Sequence, residues 1–158
     1  MRFTARQLRK GMKWWPPFLG AGIRVRSLSE DFRDAVVELR LGRLNRNYFG
    51  THFGGSLYAM TDPFFAIMLV YNLGDEYLIW DKTGSIEYIA PGRGTVHAHF
   101  HLSQKRVDDI RAQAAGGGKI LPEFEVSVKD DAGTVVARVR KTLYVRLKPR
   151  HRPQSEGR

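Results

Sequence analysis

The residues best placed to do chemistry stand close together: the pair Gly54-Gly55, followed by Ser56, and Asp62 about two helical turns further on. Asp62 is the one charged side chain in an apolar segment covering residues 54–74. A helix that starts at a glycine pair offers backbone N–H groups without helical partners, and its dipole adds to their pull on negative charge. Glycine lets a ligand approach those donors closely. Such donors suit an anion, or a carbonyl oxygen that becomes one in a transition state. With a buried carboxylate nearby they point to acyl chemistry. A structural reading stands beside this one, in which Asp62 caps a kinked helix or pairs with a basic residue from another strand.

The elements that would position these groups follow from the pattern around them. Apolar residues in 54–74 keep to no single stripe but run nearly all the way round, which predicts a helix buried on most sides with a sheet wrapped around it. Asp62-Pro63, Asn72 and Gly74 break the run too early for a membrane span. Pro63 lacks a backbone donor and should bend the helix, and Ser56 can cap or open its first turn.

At 158 residues the chain is long enough for one ordinary domain with a real core. It has no cysteine, which rules out disulfides, thiolate metal sites and cysteine nucleophiles and suits the cytoplasm. Arg2, Arg6, Arg9, Lys10 and Lys13 interrupt every apolar run at the start, so no secretory signal is expected. The net charge of +10, from 26 Lys and Arg against 16 Asp and Glu, favours an anionic partner without choosing one.

Residues 4–15 read as an amphipathic helix, with Ala5, Leu8, Met12 and Trp15 on one face, ended by Pro16-Pro17. Packing onto the domain is expected of it, with contact to a membrane surface as the alternative. Residues 23–28 and 35–41 alternate as a strand hairpin, and 45–51 form a loop leading to the buried helix. Strands are expected over 77–90, with a bulge near Gly84, and over 95–102, 124–128 and 135–147. Residues 107–115 look weakly helical, and Gly116-Gly117-Gly118 reads as a flexible connector. Glu125 should face Arg140 across the last hairpin. The expected organisation is an N-terminal helix and connector over 1–22, the main domain over 23–148, and a basic disordered tail over 149–158.

Other clusters carry less. His97, His99 and His101 share one face of a strand, but the opposite face is the core face, so an outward position is expected rather than a metal site. No Gly-x-Ser-x-Gly elbow occurs, and the triple glycine lacks the Lys-Ser/Thr of a phosphate loop. His52 either orients its loop or touches a substrate, and Asn47 either forms a turn or holds a water or carbonyl.

A strand hairpin, one long helix and then antiparallel strands resembles the α+β hotdog fold. The segment Asn47-Tyr48-Phe49-Gly50-Thr51-His52-Phe53-Gly54-Gly55, with Asp62 beyond it, resembles the active-site segment of the phenylacetyl-CoA thioesterase-like hotdog enzymes. Tyr88-Ile89-Ala90-Pro91 and Asp131-Ala132-Gly133-Thr134 are similar to later strands of that family, and the likeness spans residues 32–148. Its wording, Gly-Thr-His-Phe-Gly-Gly-Ser with Asp-Pro on the helix, is most similar to a hotdog branch known mainly as a domain of unknown function. In the better-known thioesterases His stands directly before the Gly-Gly pair, whereas here Phe53 does and His52 is displaced by one.

The resemblance implies a homodimer or a tetramer with sites at subunit interfaces, acting on an acyl-CoA or acyl-carrier thioester. Gly54 and Gly55 would polarise the carbonyl, Asp62 from the opposite subunit would serve as base or nucleophile, and Asn47 would position the reacting group. His52, Phe53 and Ser56 would line the substrate, and Arg93 is a candidate for the phosphates of CoA. No cofactor, metal or nucleic acid is expected, and the alternative is a hotdog protein that binds an acyl ligand without turning it over.

Overall fold

A computed structural model describes residues 2–153. Thr4 opens α1 (Ala5–Met12): its hydroxyl accepts from the Gln7 amide at 3.2 Å while the Gln7 side chain accepts from the Thr4 N–H at 2.9 Å. Two donors that a helix start leaves free are thereby satisfied. The helix expected over 4–15 stops at Met12, and Pro16-Pro17, expected as its terminator, begin a second short helix, α2 (Pro16–Ala21). Proline is tolerated there because the N–H it lacks would have had no partner in a first turn. Gly22 closes α2 at φ 79°, a backbone conformation open to glycine.

The hairpin forms as expected from β1 (Ile23–Leu28) and β2 (Asp34–Arg40). With β3 (Tyr77–Tyr88), β4 (Thr95–His101), β5 (Glu123–Asp130) and β6 (Val135–Leu147) it makes a six-stranded antiparallel sheet in the order β1-β2-β4-β5-β6-β3. The expected pair appears in β5 and β6, where Arg140 Nε donates to Glu125 at 2.9 Å. The register shift of β3 falls between Asp81 and Thr83, close to the bulge expected near Gly84. On β4, Val96, Ala98 and Phe100 are buried, while the histidine row faces outward: His97 bonds Asp131 at 2.8 Å and His101 bonds Asp34 at 2.7 Å.

The central helix is present but broken in two: α3 (Gly54–Ala59) and α4 (Phe64–Leu73) are joined by a turn over 60–63. Pro63 cannot donate, and the Thr61 hydroxyl donates to the Tyr58 carbonyl at 2.8 Å within the break. The sheet wraps α4, whose Phe64 and Phe65 rings lie 4.8 and 5.2 Å from Phe100, centroid to centroid. Each such buried side chain contributes about 1.5–3 kcal/mol. Burial is one-sided, however: Val70 is exposed and Ile67 is only half-buried, so the apolar run exceeds what one chain covers.

The weak helix expected over 107–115 is a longer one, α5 (Gln104–Ala114), opened by Ser103, whose hydroxyl accepts from the Arg106 amide at 3.1 Å. Gly117, in the expected flexible connector, is held: its carbonyl accepts from Arg146 Nε at 2.9 Å. The tail expected from 149 onward starts with a 3-10 turn, Pro149–His151, and residues 154–158 lie outside the described ones.

One contact between α3 and β3 allows a sharp test. A Cβ on Gly84 would overlap the Tyr58 hydroxyl and come within 3.2 Å of the Lys141 side chain. Gly84→Ala should therefore destabilise by about 1–3 kcal/mol, the usual range for overpacking. Adding Tyr58→Phe should recover part of that loss in denaturant unfolding; two additive penalties would show that the Tyr58 hydroxyl does not meet position 84.

Candidate functional site

The loop before α3 is built on Asn47. Its Nδ2 donates to Thr51 Oγ1 at 2.9 Å and to the His52 carbonyl at 3.1 Å, and its Oδ1 accepts from the amides of Phe49 and Thr51 at 2.9 and 3.0 Å. Both amide hydrogens and both acceptor positions are thus engaged within the loop. Asn47 shapes the turn, and a substrate-facing role would require one of these bonds to exchange.

His52 ties this loop to the turn between β3 and β4. Its backbone N–H donates to the Gly92 carbonyl at 3.0 Å, and Nε2 lies 3.1 Å from the Gly94 carbonyl. A carbonyl can only accept, so Nε2 carries the proton and Nδ1 is an acceptor. Nδ1 is buried and has no hydrogen-bond partner among the described residues. Burial lowers the imidazole's affinity for a second proton, with the Gly94 bond opposing it in part. Gly92 makes the packing possible, since a Cβ there would lie 2.9 Å from the imidazole and from Val136.

Phe53 takes the position before α3, and no side chain caps this helix. Ser56, expected to cap or open the first turn, is instead buried within that turn, and its backbone N–H donates to the Phe53 carbonyl at 3.0 Å. The N–H groups of Gly54 and Gly55 find no acceptor among the described residues. Tyr88 presses on this start, with its hydroxyl 2.7 Å from where a Gly54 Cβ would be; the exposed Phe53 ring does the same at Gly55, at 2.6 Å. A cavity of about 530 Å³ opens here, walled by Asn47, His52, Gly54, Leu57, Tyr88 and Arg93, the last exposed at its rim.

Asp62 is not among the residues lining that cavity. It is also not a fully buried carboxylate, as the apolar segment had suggested: its side chain is 47% exposed, because the break between α3 and α4 turns it out of the packed helix. Its Oδ1 accepts from Lys141 Nζ at 2.6 Å, and Asp81 lies 3.1 Å from the same ammonium. The pairing with a basic residue of another strand is therefore present. Burial pushes the Lys141 ammonium toward losing its proton, but hydrogen bonds to Asp62 and then Asp81 outweigh it and raise its pKa above the ordinary lysine value. The ammonium also sits 5.2 Å from the centre of the Tyr58 ring, within cation–π range.

Lys141 is the residue that sequence reasoning missed. Its signal was strand parity: Arg138 and Arg140 point outward, so Val139, Lys141 and Leu143 share the inner row. A second buried charge, Glu38, was missed as well and is covered by Arg40 and by Arg26 at 3.4 Å. Among the described residues no group of three or more His, Cys, Asp or Glu is arranged to hold a metal ion.

Residues 4–145 match a family described as a domain of unknown function, DUF4442. The chain belongs to that family. Among curated proteins no significant sequence relative is found. Solved structures share the fold. A protein of unknown function and probable thioesterase from Pseudomonas aeruginosa superposes with a TM-score of 0.80 at 18% identity, over 94% of this chain and 99% of that one. A thioesterase from Haemophilus influenzae gives 0.66 at 14%, over 93% of both chains. The PaaI protein of the E. coli phenylacetic acid degradation operon gives 0.62 at 17%, over 90% of this chain and 92% of that one. At such identities the likeness is one of fold, and this DUF4442 chain has the hotdog architecture.

Two expectations follow from the charges. Asp62→Asn or Asp81→Asn alone leaves Lys141 one carboxylate, whereas the double variant strands an ammonium whose side chain is only 2% exposed. Each single change should cost about 1 kcal/mol, and the double should exceed their sum by about 1–3 kcal/mol in a denaturation cycle. Additivity would mean that water reaches Lys141. The second expectation concerns His52, which takes up a proton near pH 6.5 when unfolded but only at lower pH when folded. The unfolded state then binds more protons just below pH 6.5, so stability falls as the pH drops through that range. His52→Gln should flatten this part of a melting-temperature profile; an unchanged slope would place its cause elsewhere.

Proposed function

We propose that this protein hydrolyses a thioester of an acyl-CoA or an acyl-carrier protein, in a site completed by a second copy of the chain. The observation that carries the reading is the pair of free amides at Gly54 and Gly55 at the start of α3, where Gly54 lines the cavity beside Tyr88. Placed near the thioester carbonyl, they would bind the oxyanion that develops when water adds; losing one such donor typically costs about a hundredfold in rate. Asp62, with Oδ2 uncommitted while Oδ1 rests on Lys141, would take the proton from the attacking water. Collapse of the adduct expels the thiolate and leaves the carboxylic acid. Direct attack by the carboxylate, with water then opening the anhydride, is the other route open to Asp62.

Asp62 does not line the Gly54 cavity of its own chain, so the reading needs a homodimer or a larger assembly. Two features support it: β3 is an edge strand with one flank unpaired among the described residues, and α4 leaves Val70 exposed. Arg93 at the rim suits the phosphates of CoA, His52 forms part of the wall, and the Phe53 ring lies over Gly55; Ser56, buried in the first turn, would act on substrate only through that turn. Asn47 would act by holding the loop that sets the donors. No cofactor is required for this chemistry, and the lack of cysteine suits a cytoplasmic setting.

A second reading is favoured by the Lys141 pair, which ties up part of the would-be base: a protein that binds acyl-CoA or a fatty acyl ligand and does not hydrolyse it. Thiol release from acyl-CoAs of graded length, measured for wild type and Asp62→Asn, separates the two. The expected result is turnover that drops at least about a hundredfold in the variant, while the chain stays folded with a melting temperature lowered by only a few degrees and keeps its assembly state. Full activity in Asp62→Asn would overturn the mechanism, and tight acyl-CoA binding with no turnover in wild type would establish the second reading.

A further inference from the structure

We propose that the N-terminal layer, α1 and α2 against the edge strand β1, is a docking surface for anionic phospholipid bilayers. Residues 2–29 contain seven Lys and Arg and no Asp or Glu, the first acidic residue being Glu30. Arg2 is paired with Asp75 at 2.6 Å and Arg26 leans on Glu38, but Arg6, Arg9, Lys10, Lys13 and Arg24 have no carboxylate partner among the described residues. A large part of the chain's excess charge therefore stands uncompensated on one layer.

That layer is also apolar where folding gives no reason for it to be. α1 turns Ala5 and Met12 into the core and half-buries Leu8. One flank carries Arg9, Lys10 and Lys13 into a groove of about 490 Å³ shared with Arg24 and Leu19. The other flank borders a hollow of about 440 Å³ walled by Phe3, Leu8, Trp14, Trp15, Pro63 and Ile67. Trp14 is 69% exposed, Phe3 and Leu19 are more than half exposed, and the Lys13 ammonium lies 5.2 Å from the Trp14 ring centre. Large apolar side chains grouped this way on a surface mark an interaction site.

The combination selects the partner. Trp and Phe settle at the boundary of headgroups and acyl chains, while Lys and Arg beside them extend their amines to lipid phosphates. A nucleic acid would use the cations but has no place for Leu19 and an apolar hollow. A second copy meeting this face about a twofold axis would set the same unpaired cations against each other. No helix among the described residues is long and apolar enough to cross a membrane, so the contact is one of lying on the surface.

The test is co-sedimentation of the full chain with vesicles of phosphatidylcholine alone and of phosphatidylcholine and phosphatidylglycerol in equal parts, with tryptophan emission recorded alongside. Binding should appear with the anionic vesicles, weaken with salt, and shift tryptophan emission to the blue. Lys10→Gln and Lys13→Gln should each weaken it about fivefold. Trp14→Ala and Leu19→Ser, at exposed positions where the melting temperature should stay unchanged, should each weaken it about fivefold to tenfold. Failure to bind anionic vesicles overturns the proposal. So does binding indifferent to both apolar variants and matched by a single-stranded RNA, or self-association of the wild type that Trp14→Ala abolishes.

Discussion

A buried ammonium needs carboxylates, and much of the helix–sheet junction can be understood as meeting that need for Lys141. It lies in the inner row of β6, where the neighbours two residues either way are Val139 and Leu143. Asp81 stands opposite Leu143 and Gly84 opposite Lys141 on β3, and residues three apart on a regular strand would face opposite sides. The extra residue of the bulge between Asp81 and Thr83 brings both to the inner face. From the other side, the gap between α3 and α4 delivers Asp62. Helix break, bulge and missing side chain at Gly84 thus converge on one charge.

Much of this architecture could be read from the chain. Alternation in β1, β2 and β4 and the unstriped apolar segment 54–74 lead to a sheet around a central helix, because burial patterns follow the period of each element. α2 was not legible, since proline reads equally as the end of one helix and the start of another. The site was legible in part. The glycine pair marks where backbone donors stay free, a property of local sequence. What Asp62 touches is set 79 residues away, by a lysine whose burial depends on parity along β6. The saturation of Asn47 depends likewise on four loop bonds that composition alone cannot count.

Charge and apolar surface are unevenly shared out. Ion pairs such as Glu125 with Arg138 and Arg140 neutralise the outer face of the last strands, and on β4 His97 and His101 bond Asp131 and Asp34 of neighbouring segments. The N-terminal layer has almost no such partners. Exposed pairs contribute little to stability, so this contrast bears on what each surface meets rather than on how firmly the domain folds.

The double tie made by His52 has one more implication. Its backbone holds Gly92 and its ring holds Gly94, so the loop beneath the cavity and the turn above it are joined before any ligand arrives. Such an opening behaves as a gauge of fixed bore. For a ligand of the proposed site, little of the binding energy would then be spent on ordering the walls.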